Sequence, residues 1–70
     1  MRFDVRKDLI VEVNDEVFEK VFDKNYVALM CEVEMIIEYI EFDGLKYIEF
    51  KKNDENFEVY VNGERFKFDF

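Results

Sequence analysis

The chain lacks six residue types: histidine, serine, threonine, glutamine, proline and tryptophan. Without histidine there is no imidazole base and no common nitrogen ligand for zinc, and without serine or threonine there is no hydroxyl nucleophile. The two glycines, Gly44 and Gly63, both lie in predicted turns, so no glycine-rich phosphate loop can be built. These absences predict a protein that is not an enzyme and has no cofactor and no metal site.

Positive charge is also scarce. The 70 residues contain 18 acidic and 10 basic side chains, which gives a net charge of −8. The excess falls on residues 12–43, which carry ten acids and two lysines, and no basic residue lies between Lys24 and Lys46. A chain with this charge is expected to repel nucleic acid and anionic membranes, so neither is a predicted direct partner.

The remaining composition indicates one small domain over residues 1–70. Half of the residues are hydrophobic and 19% are aromatic, which is enough apolar material for a core without disulfides. The lone cysteine, Cys31, is predicted to be a buried core thiol, and a single thiol is typical of a reducing compartment. Residues 1–8 are too charged for a signal peptide, and no apolar run approaches the roughly 20 residues of a membrane span. We therefore expect a cytoplasmic protein.

Two dipeptides indicate β-hairpins. Asn62-Gly63 predicts a type I′ turn between residues 57–61 and 64–70, since both residues tolerate positive φ. Asp43-Gly44 predicts a second hairpin between residues 36–42 and 45–51, which is apolar on both faces. One of those faces is a candidate self-association surface, formed by Ile40, Phe42, Leu45 and Tyr47.

Residues 26–41 fit two periods. Seven alternate positions from Val27 to Tyr39 are all apolar, as in a strand, but Leu29 and Val33 also begin a helical stripe that continues through Ile36, Ile37 and Ile40. Alanine, leucine, methionine and glutamate favour the helix by propensity. The unbroken alternation and its continuity with the Asp43-Gly44 hairpin favour a long strand, which is the interpretation adopted here.

Upstream, Asn14 or Asp15 is expected to cap a short helix over residues 15–24, preceded by one or two strands. The fold class that follows is α+β: an antiparallel sheet of about five strands with one short helix packed on it, in the order β-α-β-β-β-β.

The acidic stretch within residues 12–43 is the sequence feature that most strongly suggests a function. On a strand, Glu32, Glu34 and Glu38 share a face with about 6.7 Å between alternate positions, close to the separation of successive phosphates along a nucleic-acid strand. On a helix, Glu34, Glu38 and Glu41 line one side instead. Like charges at such spacing repel one another and cost stability. Either the negative electrostatic field of these glutamates serves binding, or the glutamates only form a solvated surface that keeps the protein soluble.

The pattern predicts a protein-binding module that mimics nucleic-acid charge and blocks the basic surface of a nucleic-acid-handling protein. In size, charge and lack of catalytic groups the chain resembles the small acidic inhibitors encoded by phages and mobile elements, including anti-CRISPR and anti-restriction proteins. The alternative is a self-associating structural or regulatory domain, a homodimer through the apolar hairpin face. The predicted partner-binding residues are Glu32, Glu34, Glu38 and Glu41, with a second group formed by Asp15, Glu16, Glu19 and Asp23.

Overall fold

The computed structural model describes residues 1–40, 44–54 and 56–67, which form five strands and two helices. The α+β class is therefore confirmed. The strands are β1 (Arg2–Arg6), β2 (Leu9–Val13), β3 (Tyr47–Lys52), β4 (Phe57–Val61) and β5 (Glu64–Phe66). The helices are α1 (Asp15–Lys20) and α2 (Tyr26–Ile40).

The strands lie in the sheet in chain order, but their directions are mixed. Strands β1 and β2, β3 and β4, and β4 and β5 are antiparallel, whereas β2 and β3 are parallel. Parallel neighbours cannot be joined by a tight turn, and both helices lie in the crossover between them. The prediction of a purely antiparallel sheet was wrong, and the observed order is β-β-α-α-β-β-β.

The C-terminal hairpin is confirmed. Asn62 has φ of 51° and Gly63 has φ of 87°, the pair of positive values that a type I′ turn requires. The register pairs Val59 with Phe66, Tyr60 with Arg65 and Val61 with Glu64. Residues 68–70 of the predicted strand lie outside the described residues.

Residues 26–40 form a helix, so the long strand predicted there was wrong. Twelve of the fifteen residues of α2 are hydrophobic, which is why alternation and helical periodicity both fit the segment. The core decides between them, because Leu29, Val33 and Ile36 are fully buried at the helical spacing of four and three residues. Asn25 caps the helix, since its Oδ1 accepts a hydrogen bond from the Ala28 N–H at 3.1 Å.

The predicted Asp43-Gly44 hairpin was wrong for the same reason. Its first strand would have comprised residues 36–42, and residues 36–40 are helical. The second strand exists as β3, but its neighbours are β2 and β4. Asp43 lies outside the described residues.

The short helix α1 confirms the predicted helix start but is shorter than the predicted 15–24. Asn14 is its N-cap: the Oδ1 atom accepts hydrogen bonds from the N–H groups of Glu16 (2.9 Å) and Val17 (3.3 Å). The chain then turns towards α2 through Asp23 and Lys24, whose φ angles are 53° and 56°.

The core lies between the helices and one face of the sheet. Buried and half-buried residues alternate along β2, so the sheet has an inner and an outer face. On the inner side Phe22, Phe50 and Phe57 pack with ring centroids 5.5–5.7 Å apart. The other buried members are Leu9, Val11, Val13, Val17, Leu29, Val33, Ile36, Leu45, Ile48, Val59 and Val61. The outer face of the sheet and the outer face of α2 lie away from this core.

Candidate functional site

A row of apolar side chains runs along the outer face of α2. Its members are four residues apart, so each lies one helical turn from the next: Val27, Cys31, Met35 and Tyr39. We name this row the α2 ridge. The exposed fractions are 69% for Val27, 49% for Met35 and 52% for Tyr39. Cys31 is exposed as well, so the prediction of a buried core thiol was wrong.

Two of the predicted glutamates border the α2 ridge. Glu34 and Glu38 are exposed and lie one turn apart, about 6 Å along the helix axis. Neither carboxylate forms an ion pair with a described residue. The last turn of α2 contains no basic residue, so Glu38 lies near the negative end of the helix dipole without compensation.

Glu32, a third residue of the first predicted group, is not on the same side of α2 as this pair. Glu32 is two positions from Glu34, a rotation of about 200° that places it on the far flank of the α2 ridge. There it is half-buried and borders a surface depression that Arg65 and Lys67 also line. Glu41 lies outside the described residues. The three described carboxylates of the predicted row are therefore divided, with Glu34 and Glu38 on one side of the α2 ridge and Glu32 on the other.

Part of the second acidic group is already compensated. Asp15 Oδ1 lies 3.0 Å from the N-terminal ammonium, and Glu16 Oε2 lies 2.6 Å from Lys52 Nζ. The hydrogen bond and the charge of Lys52 lower the pKa of Glu16. Glu19 is exposed on α1, and Asp23 lies in the turn before α2. This group therefore contributes less to the outward field than its charges suggest.

The three described residues of the predicted self-association surface do not share a face. Leu45 is buried, and Ile40 packs against the core from the end of α2. Tyr47 lies on the outer face of the sheet, where its hydroxyl donates a hydrogen bond to Glu12 Oε2 at 3.1 Å. Phe42 lies outside the described residues.

On the outer face of the sheet, some oppositely charged side chains lie close together. Arg65 Nε lies 2.6 Å from Glu58 Oε2 across the β4–β5 pair, and Lys51 Nζ lies 3.9 Å from Glu49 Oε1. The same lysine stands 4.3 Å from the ring centre of Tyr60. These pairs offset part of the negative charge of the sheet, whereas no glutamate of α2 forms an ion pair with a described residue. Among residues 1–40, 44–54 and 56–67, no cluster of acidic or cysteine side chains is placed to hold a metal ion.

Two features of the structure were not predicted from the sequence. The strand prediction places the members of the α2 ridge in an apolar row of a sheet, although their spacing of four residues also fits one side of a helix. Asn62 was interpreted only as a turn residue. Its Oδ1 also accepts hydrogen bonds from the N–H groups of Lys46 (2.9 Å) and Tyr47 (3.1 Å), and its Nδ2 donates to the Gly44 carbonyl at 2.7 Å.

Comparison of the chain with protein-family models, with curated proteins and with solved structures gives no match. Within the described residues, no helix has both the length and the apolar character needed to cross a bilayer.

Proposed function

We propose that this protein is a non-enzymatic binding module whose acidic α2 face occupies the basic surface of a nucleic-acid-handling protein and blocks it. The observation that carries the proposal is the pair Glu34 and Glu38, exposed on one side of α2 and without an ion-pair partner among the described residues. A protein that competes with phosphates for a basic cleft needs carboxylates that remain free of internal partners.

The energetics of α2 support this proposal. Like charges one turn apart destabilise a helix by about 0.2–0.5 kcal/mol, and a carboxylate at the negative end of the dipole adds a further penalty of about 0.3–1 kcal/mol. The sequence keeps both costs and places no lysine or arginine in α2. A negative field of this kind steers association with a cationic partner and is weakened by salt.

Two finer points belong to the same proposal. The inhibitor is proposed to be of the anti-CRISPR or anti-restriction type. Its small size, its negative charge and its lack of the usual catalytic groups support this assignment. It acts in the cytoplasm, where nucleic-acid-handling enzymes work and where an exposed thiol such as Cys31 stays reduced.

The test compares two double variants of equal net charge. Glu34→Lys/Glu38→Lys and Asp8→Lys/Glu64→Lys both raise the net charge from −8 to −4, but only the first changes α2, and all four side chains are exposed. Immobilised protein captures basic nucleic-acid-binding proteins from a cell lysate at low salt. Competition with duplex DNA for each captured protein is then measured with purified components.

We expect the α2 variant to lose at least about tenfold in affinity and the control to lose much less. Added salt should weaken the unmodified complex. Equal losses in the two variants, or a captured protein that binds DNA and this chain simultaneously, would refute the proposed mechanism.

A further inference from the structure

We infer that the α2 ridge is a docking surface for a cationic amphipathic helix of the partner protein. This inference rests on the proposed function and specifies which element of the partner is bound. It is carried by the juxtaposition, on one helix face, of exposed apolar side chains and glutamates that form no ion pair with any described residue.

The shape of the ridge favours a helix as the bound element. Its four side chains follow the i±4 row of α2 over about 18 Å. Such a row packs into the groove between side-chain rows of a second helix. Val27, Cys31 and Met35 offer apolar contacts along this row. At its end the ring of Tyr39 packs edge-on against the ring of Phe66, with the ring centroids 5.8 Å apart.

The negative charge on both flanks of the α2 ridge indicates that the bound helix is cationic. Glu34 and Glu38 lie on one flank of the ridge and Glu32 on the other, and α2 contains no basic residue. A second copy docked on the ridge would bring together two helices that each carry three glutamates and no lysine or arginine of their own. An anionic membrane surface meets the same repulsion. A helix with an apolar stripe bordered by lysine or arginine satisfies both the apolar and the acidic parts of the surface.

The probe is a synthetic peptide of about 18 residues with leucines at helical spacing and lysines on both flanks. A scrambled peptide of the same composition keeps the charge and loses the stripe. Binding is measured by anisotropy of a labelled peptide. A second readout is the rate at which Cys31 reacts with an aromatic disulfide reagent, since a docked helix covers this exposed thiol.

Val27→Gln/Met35→Gln removes apolar contact without changing charge. Val21→Gln is the matched control, because Val21 is 41% exposed at the end of α1 and is not part of the ridge. We expect the amphipathic peptide to bind about tenfold more tightly than the scrambled peptide and to protect Cys31. The ridge variant should lose this preference, whereas the control should retain it. Circular dichroism verifies that each variant is folded.

Equal binding of the two peptides, abolished by Glu34→Lys/Glu38→Lys, overturns the inference and leaves the charge-based proposal standing. Absence of protection at Cys31 overturns it as well. A concentration-dependent dimer that the ridge variant abolishes, or binding to vesicles of anionic lipid, shows a different occupant and also overturns it. The DNA-competition experiment described above tests the proposed function separately.

Discussion

Lys52 Nζ lies 2.6 Å from Glu16 Oε2, so the last residue of β3 is tied to the first turn of α1. Helix α1 has six residues and buries only Val17. An interaction at its first turn therefore helps to hold the helix against the sheet, although both side chains are about half exposed and the pair is open to screening by salt.

The Lys52–Glu16 pair predicts a specific pH dependence. Since Lys52 lowers the pKa of Glu16 in the folded state from the ordinary 4.5, the pair stabilises the fold at neutral pH. This contribution is lost as the pH falls below 4.5 through the lowered pKa. Glu16→Gln should therefore be less stable than the unmodified protein at neutral pH, and the difference should disappear in acid. Urea unfolding across this range measures it, and a difference that persists unchanged in acid would contradict the prediction.

Asn62 provides a second prediction. Asn62→Gly keeps the positive φ of the turn but removes three side-chain hydrogen bonds to residues 44–47. The free energy of unfolding should fall by about 1–2 kcal/mol. Asn62→Asp keeps the two hydrogen bonds that the side chain accepts and loses only the one that it donates to Gly44. The free energy of unfolding should therefore fall by less in Asn62→Asp than in Asn62→Gly. Denaturant unfolding of both variants measures these losses, and the absence of a loss in both would show that Asn62 acts only as a turn residue.

Tyr47 should ionise at a higher pH than an ordinary tyrosine side chain. Burial, together with the hydrogen bond to Glu12, raises the pKa of Tyr47. Because the folded state holds the phenol proton more tightly, the stability from this group is complete below the ordinary tyrosine pKa and is lost as the pH rises through the raised value. An ultraviolet titration of the four tyrosines should show a late component that is absent from Tyr47→Phe. Its persistence in that variant would assign the late proton to another tyrosine.

The parts of the fold that the sequence predicted correctly depend on local interactions. Asn62-Gly63 needs only its own backbone preference to form a turn, and Asn14 needs only the next three residues to act as a cap. The identity of α2 depends on remote contacts, because twelve hydrophobic residues in fifteen fit both a strand and a helix. The parallel pairing of β2 with β3 is likewise decided over a long separation in the chain.

The same distinction explains the candidate site. Glu34 and Glu38 are four positions apart, a spacing that puts two side chains on one side of either a strand or a helix, so their shared face did not depend on the choice. Glu32 and Glu34 share a face only in a strand, and the helix separates them. The partners of Asp15 and Glu16 come from the N-terminus and from Lys52, contacts that no local pattern indicates.

Glu38 should reveal a conflict between binding and stability. It lies in the last turn of α2, where the helix dipole disfavours a carboxylate, and one turn from the like charge of Glu34. Glu38→Lys reverses both interactions, so the free energy of unfolding should rise by about 0.3–1 kcal/mol, while affinity for a basic partner falls. Glu16→Lys is the opposite control: in the first turn of α1 it loses the Lys52 pair and gains an unfavourable dipole interaction, so stability should fall. Denaturant unfolding of both variants, paired with the competition assay, makes the comparison. A Glu38→Lys protein that is less stable than the parent would mean that this carboxylate supports the fold, and its retention would then need no binding partner to explain it.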